Sequence, residues 1–152
     1  MEKEFCTCEQ ASALKELGFD ECCTMYWRSE IDGTMQLYHH QDNNFWDAVG
    51  SNNSDDCKWV DCTAPLKQQA LKWFREKHGL YVHMVPEFYT TGINFNWQIL
   101  FYLPKEHWIK HLVHNGTFMY GDNGEYPTQE LAENAAIEKM IDLVKNGRYG
   151  KT

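Results

Sequence analysis

The stretch APLKQQALKWFREKHGL, Ala64 to Leu80, decides how the chain is read. Thr63 before it is suited to cap a helix, Pro65 is tolerated in a first turn, and Gly79 can take the left-handed conformation that ends one. Leu66, Ala70, Trp73 and Phe74 recur at helical spacing, so one side carries a large apolar load. Lys67, Arg75 and Glu76 make the opposite side polar. The spacing predicts a central helix over Ala64–Leu80 that turns Trp73 and Phe74 toward a sheet.

Toward the N-terminus, Thr7 and Gln10 have capping-box spacing, Ala11, Leu14 and Leu17 continue an apolar face, and Gly18 followed by Phe19 fits a helix stop. A helix over Thr7–Leu17 follows. Two strand-like runs, Cys22–Arg28 and Thr34–His40, are joined through Asp32-Gly33, a good hairpin signal. The segment from Gln41 to Asp56 is dense in Asn, Asp and Ser around Phe45-Trp46 and reads as a long loop pinned by that apolar knot. Lys58–Cys62 reads as a short third strand.

Toward the C-terminus, Leu80–Val85 reads as a strand bounded by Pro86. Ile93–Leu103 alternates, with Phe95, Trp97, Ile99, Phe101 and Leu103 on one face, and is the best strand pattern in the chain. Lys105–Asn115 has the spacing of a short helix. Phe118–Tyr120 and Glu125-Tyr126 flank Asp122-Asn123-Gly124 as a hairpin would. Thr128 then caps a last helix whose apolar face is Leu131, Ala132, Ala135, Ala136, Met140, Leu143 and Val144, stopped by Gly147. The order implies an α+β fold with helices packed on one face of antiparallel sheet, the second half running α-β-β-β-α. One domain over 1–147 is expected, with possible halves at 5–62 and 63–147 and a frayed tail at 148–152. Gln10-Ala11 and Gln69-Ala70, each ahead of a Gly and a hairpin, echo one another over a stretch too short to define a repeat.

Composition narrows the partner classes. Twenty-two acidic against 14 basic side chains give a net charge of −8 over 152 residues. That balance disfavours phosphate backbones and anionic membrane surfaces as partners. No basic segment with an apolar run follows the N-terminus, and nowhere do about 18 apolar residues stand together, so a cytoplasmic protein with no membrane span is expected. The six Cys are then expected to be reduced thiols.

No set of residues names a chemistry, and no catalytic residue or cofactor is implied. His107, His111 and His114 share one helical face, and the first two stand one turn apart, as two zinc ligands would. No HExxH base accompanies them, and a polar surface face is the simpler reading. Cys6, Cys8, Cys57 and Cys62 would converge if the N-terminus lay near the start of the central helix. None has CxxC spacing, and small buried thiols are the simpler reading. His83 in its apolar strand reads as a core histidine. The Trp content exceeds what one small core needs, and Trp46 in its polar loop is the candidate for a protein-binding contact.

Three segments carry a resemblance. ASALKELGFDEC, APLKQQALKWFREKHGL and TQELAENAAIEKMIDLV are similar to a family of small uncharacterised proteins of Bacteroides-type bacteria and their phages or integrated elements. The resemblance runs from Phe5 to Lys145 and departs between Lys105 and Gly116, where the His-bearing segment looks like an insertion. It implies domain extent and cytosolic origin, and brings no activity, cofactor or site residue. The order of the second half also resembles a double-stranded-RNA-binding domain. In that domain a Lys-rich helix start grips phosphates; here Glu130 and Glu133 stand at the corresponding start.

Overall fold

A computed structural model describes residues 2–39, 62–90, 92–102, 117–121 and 126–147. The elements are α1 (Cys8–Glu16), β1 (Met25–Ser29), β2 (Met35–His39), β3 (Cys62–Ala64), α2 (Lys67–His78), β4 (Tyr81–Tyr89), β5 (Gly92–Tyr102), β6 (Thr117–Gly121) and α3 (Gln129–Lys145). They form two three-stranded antiparallel sheets, ordered β2-β1-β3 and β4-β5-β6. The α+β class is the one the sequence implies. The chain gathers into two compact units, Met1–Ala70 and Leu71–Thr152, and the division falls inside α2 rather than ahead of it. Among the described residues, no helix is long and apolar enough to cross a membrane.

In the first unit, α1 starts as a capping box. Thr7 Oγ1 accepts from Gln10 N, and Gln10 Oε1 accepts from Thr7 N, both at 3.2 Å. At the other end Gly18, at φ +90°, donates to the Lys15 carbonyl and Phe19 to that of Leu14, each at 3.0 Å. Those bonds satisfy two carbonyls the helix leaves open and turn the chain so that Phe19 is fully buried. Thr7→Ala is expected to cost about 1 kcal/mol, read as a shift of the urea midpoint, because it leaves the Gln10 amide without its acceptor.

The β1–β2 hairpin closes over Glu30–Thr34. Gly33 N donates to Glu30 O at 2.9 Å, and Glu30 N to Thr34 O at 2.8 Å. Thr34 bonds the Asp32 carboxylate through its hydroxyl at 2.7 Å and its N–H at 2.9 Å, and these bonds hold that carboxyl below its ordinary range. β1 begins three residues later than the sequence suggests, at Met25, and β2 one residue later, at Met35.

The helix start expected at Ala64 is displaced. Cys62–Ala64 pairs with Trp27–Met25 as a strand. Pro65 O accepts from Cys6 N at 2.9 Å, and Leu66 forms an antiparallel bridge with Phe5. Pairing takes the backbone that a first helical turn would use, so Thr63 lies in β3 and cannot cap. Gln69 supplies the closure instead: its Oε1 accepts from Leu66 N at 3.0 Å. Gln10 and Gln69 thus do the same work three residues into α1 and α2. Gly79, at φ +65°, ends α2 with its N–H on the Arg75 carbonyl at 3.1 Å. Both α1 and α2 are followed by an antiparallel hairpin. Lys67, expected on the polar side, is only 3% exposed because it sits at this displaced start.

In the second unit, β5 is central. Trp97, Ile99 and Phe101 are buried, as the alternation requires. β4 does not stop at Pro86; it continues to Tyr89, with Pro86 opposite Phe95. Proline removes a ladder donor, which a sheet edge tolerates, and β4 is the edge. The turn expected at Asp122-Asn123-Gly124 lies outside the described residues. Tyr126 does not return to β6 but bridges Phe95 of β5, with reciprocal bonds of 2.8 and 3.1 Å. Gly121 of β6 stands opposite Gln98 of β5.

Thr128 caps α3, its Oγ1 accepting from Leu131 N at 3.3 Å. The helix packs on β5 and β4. Its buried face is Ala132, Ala136, Ile137, Met140, Ile141, Leu143 and Val144. Leu131, expected inside, is 46% exposed; the seam starts one residue later and includes Ile137 and Ile141. Fully buried Ile or Leu side chains contribute about 1.5–3 kcal/mol each, so this seam is a principal source of the unit's stability.

Candidate functional site

Two features stand out, one in each unit. The first is a set of thiols around Trp27. Because Phe5 pairs with Leu66, the Cys6-Thr7-Cys8 segment is laid beside the chain that joins β3 to α2. Trp27 faces Cys62 across the β1–β3 ladder, and its indole Nε1 donates to the Cys6 carbonyl at 3.1 Å. Cys62 Sγ lies 3.9 Å from the Cys8 carbonyl oxygen. Cys23 closes the other side, its Sγ 3.5 Å from the Glu21 carbonyl.

The environment sorts these thiols. Cys6, Cys23 and Cys62 are buried, Cys8 is half-buried and Cys22 is exposed. Loss of hydration pushes Cys6 up to about 12, against the opposing pull of the Lys67 ammonium, with nearby Cys23 adding to the rise. Burial pushes Cys23 up to about 11, opposed by a hydrogen bond with the Thr63 side chain. Both stay protonated near neutral pH and are poor nucleophiles and poor metal ligands in that state.

Cys6, Cys8 and Cys62 are therefore brought to the start of α2, while Cys57 lies outside the described residues. So do His107, His111, His114 and Trp46. Among the described residues, no group of three or more His, Cys, Asp or Glu is arranged to hold a metal ion. His83, expected in the core, is exposed: it alternates with the inward-facing Val82 and Met84 on β4. His78 packs against Trp73 with ring centroids 4.6 Å apart.

The second feature is the end of the β4–β5 hairpin. Phe88 is 78% exposed and stands directly opposite Ile93, itself 48% exposed. Tyr89 beside them is also exposed and donates its hydroxyl to Glu87 at 2.6 Å. Cross-strand partners on one face lie close enough to touch, so Phe88 and Ile93 make one apolar spot rather than two. The sequence singled out Trp residues for such a role and passed over Phe88. Only its place beyond the Pro86 position, in a strand longer than the apolar run, makes it a hairpin-end residue.

No protein-family model, no curated protein and no solved structure matches the chain.

Proposed function

We propose that the protein is a small non-enzymatic accessory protein of the cytoplasm that acts through protein contacts, with its partner seated on the Phe88–Ile93 end of the β4–β5 hairpin. The observation that carries this reading is the 78% exposure of Phe88, directly opposite an Ile93 that is itself 48% exposed. Large aromatic side chains at the centre of a contact supply most of its energy when water is excluded around them. The net charge of −8 favours a partner with a basic rim. An origin in a phage or mobile element is read from the resemblance of the three sequence segments.

Phe88→Asp tests the reading. It is expected to leave stability within about 0.5 kcal/mol, since Phe88 contributes little buried area. Side-by-side affinity capture should then recover a stoichiometric partner on the wild type that Phe88→Asp does not hold. The same proteins on both baits would move the contact elsewhere, and a measured turnover would remove the non-enzymatic reading.

A second reading is a nucleic-acid-associated domain of double-stranded-RNA-binding shape. The succession α2-β4-β5-β6-α3 with an antiparallel sheet supports it. Glu130 in the first turn of α3 speaks against it, since phosphates would meet a carboxylate there. Filter binding at low salt, where electrostatic attraction is strongest, distinguishes the two readings; no retention of RNA or DNA removes this one.

A further inference from the structure

We infer that Cys8 and Cys62 are an oxidation-responsive thiol pair, which a peroxide joins into a disulfide tying the start of α1 to β3. The two residues are 54 positions apart in the chain, and the fold brings the Cys62 sulfur to 3.9 Å from the Cys8 carbonyl oxygen. A carbonyl oxygen lies about 2.4 Å from its own Cα and a Cys sulfur about 2.8 Å, so the Cα atoms are at most roughly 9 Å apart. Disulfides form at about 4.4–6.8 Å, a closure of a few ångströms at that outer limit. Cys8 is the first residue of α1.

Exposure assigns the roles. Cys8 is half-buried and open to a small oxidant, whereas Cys6 and Cys23 are buried and held as thiols. Cys22 is exposed, but its sequence neighbour Cys23 is one of those held thiols. The oxidant is a hydroperoxide. The Cys8 thiolate attacks one peroxide oxygen, the O–O bond breaks, and a sulfenic acid and hydroxide form. Cys62 Sγ then attacks the Cys8 sulfur, its proton goes to the departing hydroxyl, and water leaves as the S–S bond forms. Two thiols are oxidised by two electrons while one hydrogen peroxide is reduced to two waters.

The test treats the full-length protein with stoichiometric hydrogen peroxide, alkylates the remaining thiols and maps peptides without reduction. The expected result is an intact mass lower by about 2 Da and a cross-link between the peptides bearing Cys8 and Cys62. Because Cys6 shares a tryptic peptide with Cys8, Cys6→Ser is used to separate them: it should keep the cross-link, and Cys8→Ser should abolish it. The oxidised protein should also melt at least about 5 °C higher, reversibly with dithiothreitol, since the bond closes a long loop of the unfolded chain. A cross-link assigned to any other pair would overturn the inference. So would oxygen addition at Cys8 with no cross-link. Neither outcome depends on Cys62→Ser, whose buried site makes it a poor folding control.

Discussion

Trp73→Ala is expected to destabilise the protein by about 3–5 kcal/mol. Trp73 is only 2% exposed, so truncation removes a large apolar area and leaves a cavity. It also removes two edge-on aromatic contacts, to Phe74 at 5.2 Å and to the His78 ring at 4.6 Å. Such pairs are worth about 0.5–1.5 kcal/mol beyond their area, which places the loss toward the upper part of the range. Urea denaturation gives the measurement: the midpoint should fall while its slope stays constant. Trp73→Phe should recover a large share, because it refills most of the volume. A Trp73→Ala protein within about 1 kcal/mol of wild type would show that this helix face is not the core it is taken for.

Phe19→Ala is expected to cost a similar about 3–5 kcal/mol, by the same loss of buried aromatic area and in the first unit. Phe19 sits just past Gly18, and its N–H bonds the Leu14 carbonyl, so the side chain is placed by the turn that ends α1. Leu14, whose carbonyl accepts that bond, is also fully buried. The effect should appear as faster amide exchange in α1 and in β3, on which α1 packs. Unchanged protection there would mean that the buried ring contributes nothing that water does not replace.

These residues also show where sequence reading succeeds. Thr7, Gln10, Gly18 and Phe19 act over one or two helical turns, and their bonds are those their spacing implies. The alternation of β5 holds for a related reason: Trp97, Ile99 and Phe101 stand on one side of a central strand that packs on α3. What failed depended on partners far away in the chain. Thr63 and Pro65 make a sound helix start until Trp27 and Cys6 claim their neighbourhood for pairing. Pro86 reads as a stop unless β4 is known to lie at the edge of its sheet. Tyr126 reads as a hairpin partner until Phe95 takes it.

The candidate sites divide in the same way. Sequence could collect Cys6, Cys8 and Cys62 as thiols that would meet if the N-terminus reached the start of α2. It could not say that the Cys62 sulfur comes up to the Cys8 carbonyl, since that depends on the Phe5–Leu66 bridge. Phe88 carried no signal at all, because a lone Phe near a Pro is ordinary in composition and unusual only in its exposure.

Pro86 has one more effect, on what this sheet can recruit. Phe95 exchanges both of its backbone bonds with Tyr126, so it has none to give to β4. Pro86, opposite it, therefore turns its nitrogen away from the sheet, toward the open side. A foreign strand laid along that side would meet a gap in the donor row near its middle, together with the bulk of the pyrrolidine ring. Fibre-like growth by strand addition is blocked at that point, although aromatic residues stand nearby. A visitor to the hairpin finds side chains to grip and a backbone ladder broken at Pro86.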